Sequence, residues 1–354
     1  MIKQLLMFRH RRRRTYFYHM TKISKTVLFV SLFLTVLAAA PHIHDYKVDF
    51  CACSLHADTN LYIGLRSFTW DTKPEMLVVD PIDLTTRIVS KDSVRCKDIP
   101  LQKLDSMYKS SAYVLALDSA EKNRRSIQDA GLQHGDFRQK GIDLTADLCP
   151  TKHALDRSFF MKLVETFGDA QRPIPIALSI TGKWMENHAR DLLWLKELEK
   201  NGYFSFTWIN HTYNHRVAKD VPLRQNFILE KGTDLDSEVL KTEKKMIENN
   251  MTPSVFFRFP GLVSDSLVFT KITGYGLIPV GTDAWLAKNE KPSDGSIVLV
   301  HANGNEPYGI GRFYKLVADH KDAIRAGTWL LFDLRKSIID ENALDAKDSV
   351  DRNY

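Results

Sequence analysis

Outside its first 40 residues, the sequence has no excess of basic charge. Those residues contain eight Lys and Arg and no Asp or Glu, and setting them aside leaves 41 of the 49 basic residues against 43 acidic ones. A nucleic-acid-binding face needs basic residues spread over a folded surface. The net charge of +6 therefore belongs to the amino-terminal segment, and we expect no nucleic-acid partner.

The amino-terminal segment also lacks an apolar run as long as a standard membrane span, which takes roughly 20 residues. Its apolar run, 26–40, has 15 residues, of which only two Thr and one Ser are polar. Basic residues followed by an apolar stretch with a small-residue end are typical of an export signal. We predict cleavage near 38–40, or alternatively a retained membrane tether through 26–40, with Met20 as an alternative start. Both alternatives predict an exported protein that is periplasmic, extracellular or anchored to the inner membrane.

Cysteine is scarce, with four residues at positions 51, 53, 96 and 149. Cys51 and Cys53 are too close to pair easily with each other, and they lack the spacing of a structural zinc site. Because export permits disulfides, a bridge from Cys51 or Cys53 to Cys96 is one expectation, and free thiols are the other.

No Gly-rich phosphate loop follows the strand that begins near Gly141, which disfavours a nucleotide-binding sheet. From there onward, apolar runs alternate with helical patterns. The predicted strands are 142–147, 174–181, 203–210, 255–260, 277–283, 296–301 and 328–334, and the predicted helices include 157–167, 185–200, 235–249 and 264–272. Apolar strands separated by helices predict an α/β fold, a distorted TIM-like (β/α) barrel with about seven parallel strands. An open doubly wound sheet is the alternative.

The rest of the chain divides around this barrel, which we predict at 141–340. Residues 1–40 are the basic leader with its signal peptide or anchor, and 341–354 are a polar tail. We interpret 41–60 as a linker because it is polar and rich in histidine. Three β-like runs between 61 and 90, followed by helical patterning around 101–132, predict a small α+β extension within 41–140.

Reactive side chains follow the predicted strands at their carboxyl ends. Asp147, His211 with His215, Arg258, Asp283 and His301 each lie at or just after such an end. In parallel α/β barrels the active site assembles at this edge. The shared position predicts that these residues meet at one site.

Each of these residues has a chemical interpretation. His211 and His215 are four residues apart, so a helical turn would direct both imidazoles at one zinc-like ion. Asp147 is a candidate carboxylate or a turn residue, and Arg258 either orients it or forms a rim salt bridge. Asp283 and His301 would form a couple in which the carboxylate supports a protonated ring. Trp285 is either a sugar-stacking wall or a core residue.

The order of these motifs resembles the polysaccharide deacetylase family, also called the NodB-homology domain or carbohydrate esterase family 4. The five matching segments, spread over about half the chain, are Thr145-Ala-Asp-Leu-Cys-Pro150, His211-Thr-Tyr-Asn-His215, Arg258-Phe-Pro-Gly261, Asp283-Ala-Trp285 and Leu299-Val-His301. The resemblance implies a NodB-type barrel and the removal of acetyl groups from N-acetylated sugars of a glycan.

The resemblance also implies roles for single residues. Asp147 would be the catalytic base and His301 the acid, with Arg258 and Asp283 orienting and tuning them. His211 and His215 would hold a divalent metal, for which Zn²⁺ is expected, and Trp285 and Leu299 would contact the substrate. With the metal present, the base takes a proton from water, the water attacks the acetamide carbonyl, and the acid protonates the leaving amine.

One departure from the family pattern concerns the metal. The family's second Asp, a metal ligand, is Leu148 here. Either Asp147 doubles as a ligand, or another residue such as Asp143 supplies the third donor, or the domain is an inactive carbohydrate-binding protein. A hydrolase of non-sugar amides is a further alternative, and the sequence specifies no oligomeric state.

Overall fold

The computed structural model describes residues 42–56, 60–99, 103, 107–108, 111–135 and 139–338. The predicted leader 1–40, with Met20 and the tether 26–40, and the predicted tail 341–354 lie outside these residues. None of the described helices has both the length and the hydropathy that a membrane crossing requires.

The amino-terminal part forms an antiparallel sheet of five strands. They are β1 Ile43–Leu55, β2 Leu61–Trp70, β3 Lys73–Val79, β4 Thr86–Ser90 and β5 Val94–Asp98, in the order β4-β3-β2-β1-β5. The three predicted β-runs are confirmed as β2, β3 and β4. The interpretation of 41–60 as a linker is wrong, because most of it is β1. Irregularities in the pairing of β1 with β2, between His44 and Lys47 and between Val48 and Cys51, interrupt the apolar alternation that would have indicated a strand.

A disulfide between Cys53 and Cys96 joins β1 to β5, where the two residues are direct cross-strand partners. This is one of the two predicted bridges. Cys51 and Cys149 are buried free thiols.

The second sheet is parallel and curves into an incomplete barrel. Its strands are β6 Gly141–Leu148, β7 Ile174–Ile180, β8 Phe204–Asn210, β9 Phe256–Phe257, β10 Ile278–Pro279, β11 Ala284–Trp285 and β12 Ile297–Val300, with β13 Leu330–Leu331 paired to β6. The order along the sheet is β10-β9-β8-β7-β6-β12-β11, with every pairing parallel. All seven predicted strands are present and the predicted barrel class is confirmed.

Helices cover this sheet. They are α1 Ala112–Glu121, α2 Arg157–Phe167, α3 Gly182–Asn187, α4 Ala189–Lys200, α5 Leu235–Glu248, α6 Ser266–Gly274, α7 Pro307–Asp319, α8 Lys321–Arg325 and α9 Leu334–Ser337. Side-chain caps explain several starts; Asp156, for example, accepts from the Phe159 N–H at the start of α2. The helix predicted at 185–200 is two helices, because the backbone leaves the helical region at His188.

Strand β6 directs its apolar side chains to one face of the sheet and Asp147 to the other. Ile142, Leu144, Ala146 and Leu148 belong to the apolar layer shared with α2 and α4. Since successive side chains of a strand point to opposite faces, Asp147 points to the inside of the barrel and Leu148 to the helices.

A buried ion pair connects the two sheets through α5. Arg66 of β2 and Glu243 of α5 are 0% and 1% exposed, and two guanidinium nitrogens donate to the carboxylate at 2.7 and 2.9 Å. Tyr46 donates a third hydrogen bond to Glu243 at 3.0 Å. Both buried charges are therefore paired. The apolar core around them contains residues from both sides of the domain boundary predicted at residue 140.

Candidate active site

Four distant segments bring reactive side chains to the carboxyl edge of the parallel sheet. Asp147 is near the end of β6, and His211, Arg258 and His301 directly follow β8, β9 and β12. Asp147 and His301 line a cavity of about 340 Å³, together with His215 and apolar side chains that include Leu299. The predicted convergence of these segments at one mouth is therefore found in the structure.

His211 is fully buried and has a defined tautomer. Its Nδ1 lies 2.9 Å from the carbonyl oxygen of Arg258, and since a carbonyl can only accept, Nδ1 carries the proton. The lone pair of the neutral ring is then on Nε2. That atom lies 3.6 Å from Oδ2 of Asp147 and 3.6 Å from Sγ of Cys149.

His215 reaches the same place from a loop. The predicted helical turn is wrong: residues 211–216 are not helical, and Thr212 and His215 have φ values of 66° and 47°. The imidazole rings of His211 and His215 are nevertheless 4.8 Å apart. Glu238 holds the loop, because its carboxylate accepts from the N–H groups of Tyr213 and Asn214 at 2.9 and 2.8 Å.

Asp147 and Arg258 form a buried pair. Nη1 of Arg258 lies 3.7 Å from Oδ1 of Asp147, and the two side chains are 0% and 4% exposed. Arg258 also donates to the carbonyl of Gly281 at 3.1 Å. Burial lowers the pKa of Arg258, and the Asp147 carboxylate opposes that shift. Oδ1 of Asp147 is buried and has no hydrogen-bond partner within the described residues.

The carboxylate beside His301 is Glu306. Oε2 of Glu306 lies 2.8 Å from Nδ1 of His301 and accepts from the indole N–H of Trp285 at 2.9 Å. The rings of Trp285 and His301 also stack, with centroids 5.8 Å apart. Burial acts to lower the pKa of His301, but Cys149 and Glu306 outweigh it and raise that pKa well above its ordinary value.

The predicted couple of Asp283 with His301 is wrong. Oδ2 of Asp283 lies 2.6 Å from Nδ1 of His134 and accepts from the Ser296 hydroxyl at 3.2 Å. The strand β10 ends at Pro279, so Asp283 precedes the parallel strand β11 instead of following β10. Its neighbour Ser296 precedes β12, whereas His301 follows β12, at the opposite edge of the sheet.

Cys149 lies at the centre of the site, although it was predicted only as a possible free thiol. Its Sγ and the nearest donor atoms of His211 and His215 lie within 4.8 Å of one another, and the same holds for Asp147, Cys149 and His301. Burial acts to raise the pKa of the thiol, but His215, His211 and His301 outweigh it and hold that pKa well below its ordinary value. The sequence feature that could have indicated this role is the position of Cys149 inside the first motif, Thr145–Pro150.

The donors present are compatible with a divalent metal. Imidazole nitrogen and thiolate sulfur are ligands that zinc prefers, and the Nε2 of His211 faces Cys149 and Asp147 with its Nδ1 engaged elsewhere. Asp143 is not part of this cluster: it precedes Asp147 by four residues, which at about 3.3 Å per residue is roughly 13 Å along β6. The leucine at 148 is buried on the other face of the strand.

Comparison with known proteins gives one family-model match and several matches to solved structures. Residues 44–114 match the family described as RP012 protein N-terminal domain. A family 4 carbohydrate esterase from Bacillus anthracis is 18% identical, with a TM-score of 0.44 over 62% of this chain and 90% of that one. A family 4 pseudoenzyme from the same organism is 15% identical, with a TM-score of 0.41 over 59% and 69%. The peptidoglycan deacetylase PdaC from Bacillus subtilis is 12% identical, with a TM-score of 0.38 over 60% and 96%.

Proposed function

We propose that this protein is a metal-dependent hydrolase that removes acetyl groups from N-acetylated sugars of an envelope polysaccharide or oligosaccharide. One observation carries the proposal: Asp147, His215 and His301, which come from the ends of three different strands, line one cavity, and the ring of His211 lies 4.8 Å from that of His215. Asp147 with an unpartnered oxygen lies beside His211, and His301 lies within 4.8 Å of the same carboxylate.

His211 and His215 would hold the metal, for which zinc suits the donors present. When bound, such an ion polarises the acetamide carbonyl, stabilises the negative charge that develops on its oxygen and favours ionisation of water. The carbonyl of Arg258 orients the ring of His211 for this role, because it accepts the Nδ1 proton.

Asp147 acts as the general base. Its carboxylate takes the proton from the attacking water, and Arg258, whose Nη1 lies 3.7 Å from Oδ1, fixes the orientation of that carboxylate. Both residues are almost fully buried, so bulk water screens their attraction only weakly.

His301 acts as the general acid. Glu306 favours its protonated form, and the Trp285 indole holds Glu306 in place through a 2.9 Å hydrogen bond. The protonated ring gives its proton to the amine nitrogen as the carbon–nitrogen bond breaks, so the products are acetate and a free amino sugar.

The substrate contacts of Trp285 and Leu299 remain part of this proposal. Leu299 and Phe227 give the cavity an apolar wall that suits the methyl group of an acetyl substituent. The Trp285 ring already stacks on His301 and has the Lys288 ammonium 4.0 Å from its centroid. The clearest role of Trp285 is therefore to position Glu306. Stacking against a sugar would use the part of its ring that is still exposed.

Export is the second half of the proposal, since an envelope glycan lies outside the cytoplasm. The basic and apolar pattern of 1–40 supports it. The Cys53–Cys96 disulfide supports it as well, because disulfides persist in oxidising compartments.

Acetate release tests the function directly. The zinc-loaded protein is incubated with N-acetylglucosamine oligomers and with peptidoglycan fragments, and free acetate is measured. We expect release that stops on chelation and is lost in His301→Ala and His211→Ala. Absence of acetate from every acetylated glycan, with metal bound, would instead favour the inactive carbohydrate-binding protein that Leu148 suggests, and glycan binding without hydrolysis would identify it.

A further inference from the structure

The centre contains a sulfur donor, Cys149, that the family pattern does not provide. We propose that Cys149 is the third protein ligand of the metal, together with His211 and His215, so that a thiolate replaces the carboxylate missing at Leu148. This inference rests on the proposed function, whose metal it completes. On binding, the thiol releases its proton to solvent as the sulfur–metal bond forms.

The separation of the donors supports this assignment. Sγ of Cys149 lies 3.6 Å from Nε2 of His211. A tetrahedral zinc ion with bonds of about 2.0 Å to nitrogen and 2.3 Å to sulfur places those two atoms roughly 3.5 Å apart, close to the observed distance. The position of His215, whose donor atom falls in the same cluster, gives the ion a third contact.

The direction of the donors supports it as well. Nδ1 of His211 is occupied by the Arg258 carbonyl, so the lone pair that faces Cys149 is on Nε2. The backbone of Cys149 is held in turn, since its carbonyl accepts from the Asn303 side chain at 2.9 Å. The thiol is thus placed before any ligand arrives.

Other carboxylates within the described residues are less suited to the role. Leu148 points into the helix layer, and Asp143 is at the far end of β6. Asp147 already has the Arg258 guanidinium beside it, and a carboxylate bound to the metal would be a weaker base. A thiolate ligand leaves Asp147 free to accept a proton.

A thiolate also changes which metals the site selects. Sulfur ligands favour zinc, cobalt and cadmium over hard cations such as magnesium and manganese. We therefore expect magnesium and manganese to compete poorly with zinc at this site.

Cobalt provides a readout that is independent of activity. The full chain is loaded with Co²⁺, and its near-ultraviolet spectrum is recorded, because a thiolate bonded to cobalt gives an intense charge-transfer band that oxygen and nitrogen ligands do not. Zinc affinity is measured on the same samples by competition with a chromophoric chelator. We expect one equivalent of metal and the band in the unmodified protein.

Three variants make the assignment specific. Cys149→Ser should lose the band and bind zinc roughly 100-fold or more weakly, since one of three protein donors is gone. Cys149→Asp should bind zinc without the band, because it places a carboxylate where the thiolate was. Cys51→Ser is the matched control, since Cys51 is the other buried free thiol and lies in the amino-terminal sheet; it should keep both band and affinity.

The outcomes separate this inference from the function on which it rests. Three outcomes would overturn the ligand assignment: the band persists in Cys149→Ser, the cobalt-loaded unmodified protein shows no band, or the unmodified protein binds no metal. Acetate release without the band would overturn the assignment and leave the proposed function intact. The band without acetate release would leave the assignment intact and overturn the function. Circular dichroism of each variant establishes that it is folded.

Discussion

Glu306 lies 2.8 Å from Nδ1 of His301, and the same carboxylate oxygen accepts the indole N–H of Trp285. The imidazole is therefore held between an anion on one side and the reaction cavity on the other. A buried histidine would ordinarily lose its proton easily, whereas Cys149 and, after it, Glu306 raise the pKa of His301 well above the usual value.

The first prediction concerns the pH dependence of this acid. Activity that needs protonated His301 is lost as pH rises through its raised pKa, so removing the anion should move that loss to lower pH. We expect Glu306→Gln to shift the alkaline limb of kcat/KM for acetate release down by about one pH unit. The control is Glu165→Gln on the surface of α2, and an unchanged limb in Glu306→Gln would contradict the assignment.

The second prediction separates the base from the metal ligands. Asp147→Asn should lower kcat by about 10²–10⁴-fold, the range for loss of a general base, while zinc affinity stays close to that of the unmodified protein. A large loss of zinc from this variant would show that Asp147 is itself a ligand. Metal analysis and acetate release on the same preparation provide both measurements.

The third prediction concerns Arg66 and Glu243, whose pairing joins the amino-terminal sheet to α5. Arg66→Met leaves a buried carboxylate without its cation, and we expect it to lower the free energy of unfolding by about 3–5 kcal/mol. The double variant Arg66→Met/Glu243→Leu should recover most of that loss. Urea unfolding measures both, and Lys162→Met, which breaks an exposed pair with Glu165, should cost under about 1 kcal/mol.

The fourth prediction uses Asp143, which is 1% exposed and whose carboxylate oxygens both lack a hydrogen-bond partner among the described residues. Burial raises its pKa well above the ordinary value; the nearby Ser337 hydroxyl opposes that shift, and Asp333 and Asp283 add to it. A carboxyl with a higher pKa in the folded state makes stability fall as pH rises from its unfolded to its folded pKa.

Replacing Asp143 should remove this pH-dependent loss of folding stability. We expect Asp143→Asn to raise the melting temperature by about 2–4 °C at roughly pH 8 and by less at roughly pH 5, where less of that loss has accrued. The comparison variant is Asp319→Asn at the exposed end of α7. An equal gain at both pH values would contradict the mechanism.

All barrel strands except β11 could be predicted from the sequence because each lies within a largely apolar run bounded by polar residues. Strand β1 could not, since its two irregularities break the alternation on which recognition of a strand depends. The two-residue strand β11 is too short to give any periodic signal.

The site could be predicted as far as strand ends determine it. Asp147, His211, Arg258 and His301 meet because parallel strands share one carboxyl edge. Asp283 could not be placed, since its position depends on β10 ending four residues earlier than the apolar run suggests. Glu306 lies in a loop whose return to His301 is a tertiary contact without a local pattern.

The Arg66–Glu243 ion pair determines the shortest fragment of this protein that should be expressed. A fragment that starts at Gly141 would retain every proposed catalytic side chain. It would also leave Glu243 without its cation in an apolar interior and expose the surface that β1 and β2 cover. Any recombinant trimming should therefore keep β1 through β5, even though no residue from those strands touches the cavity.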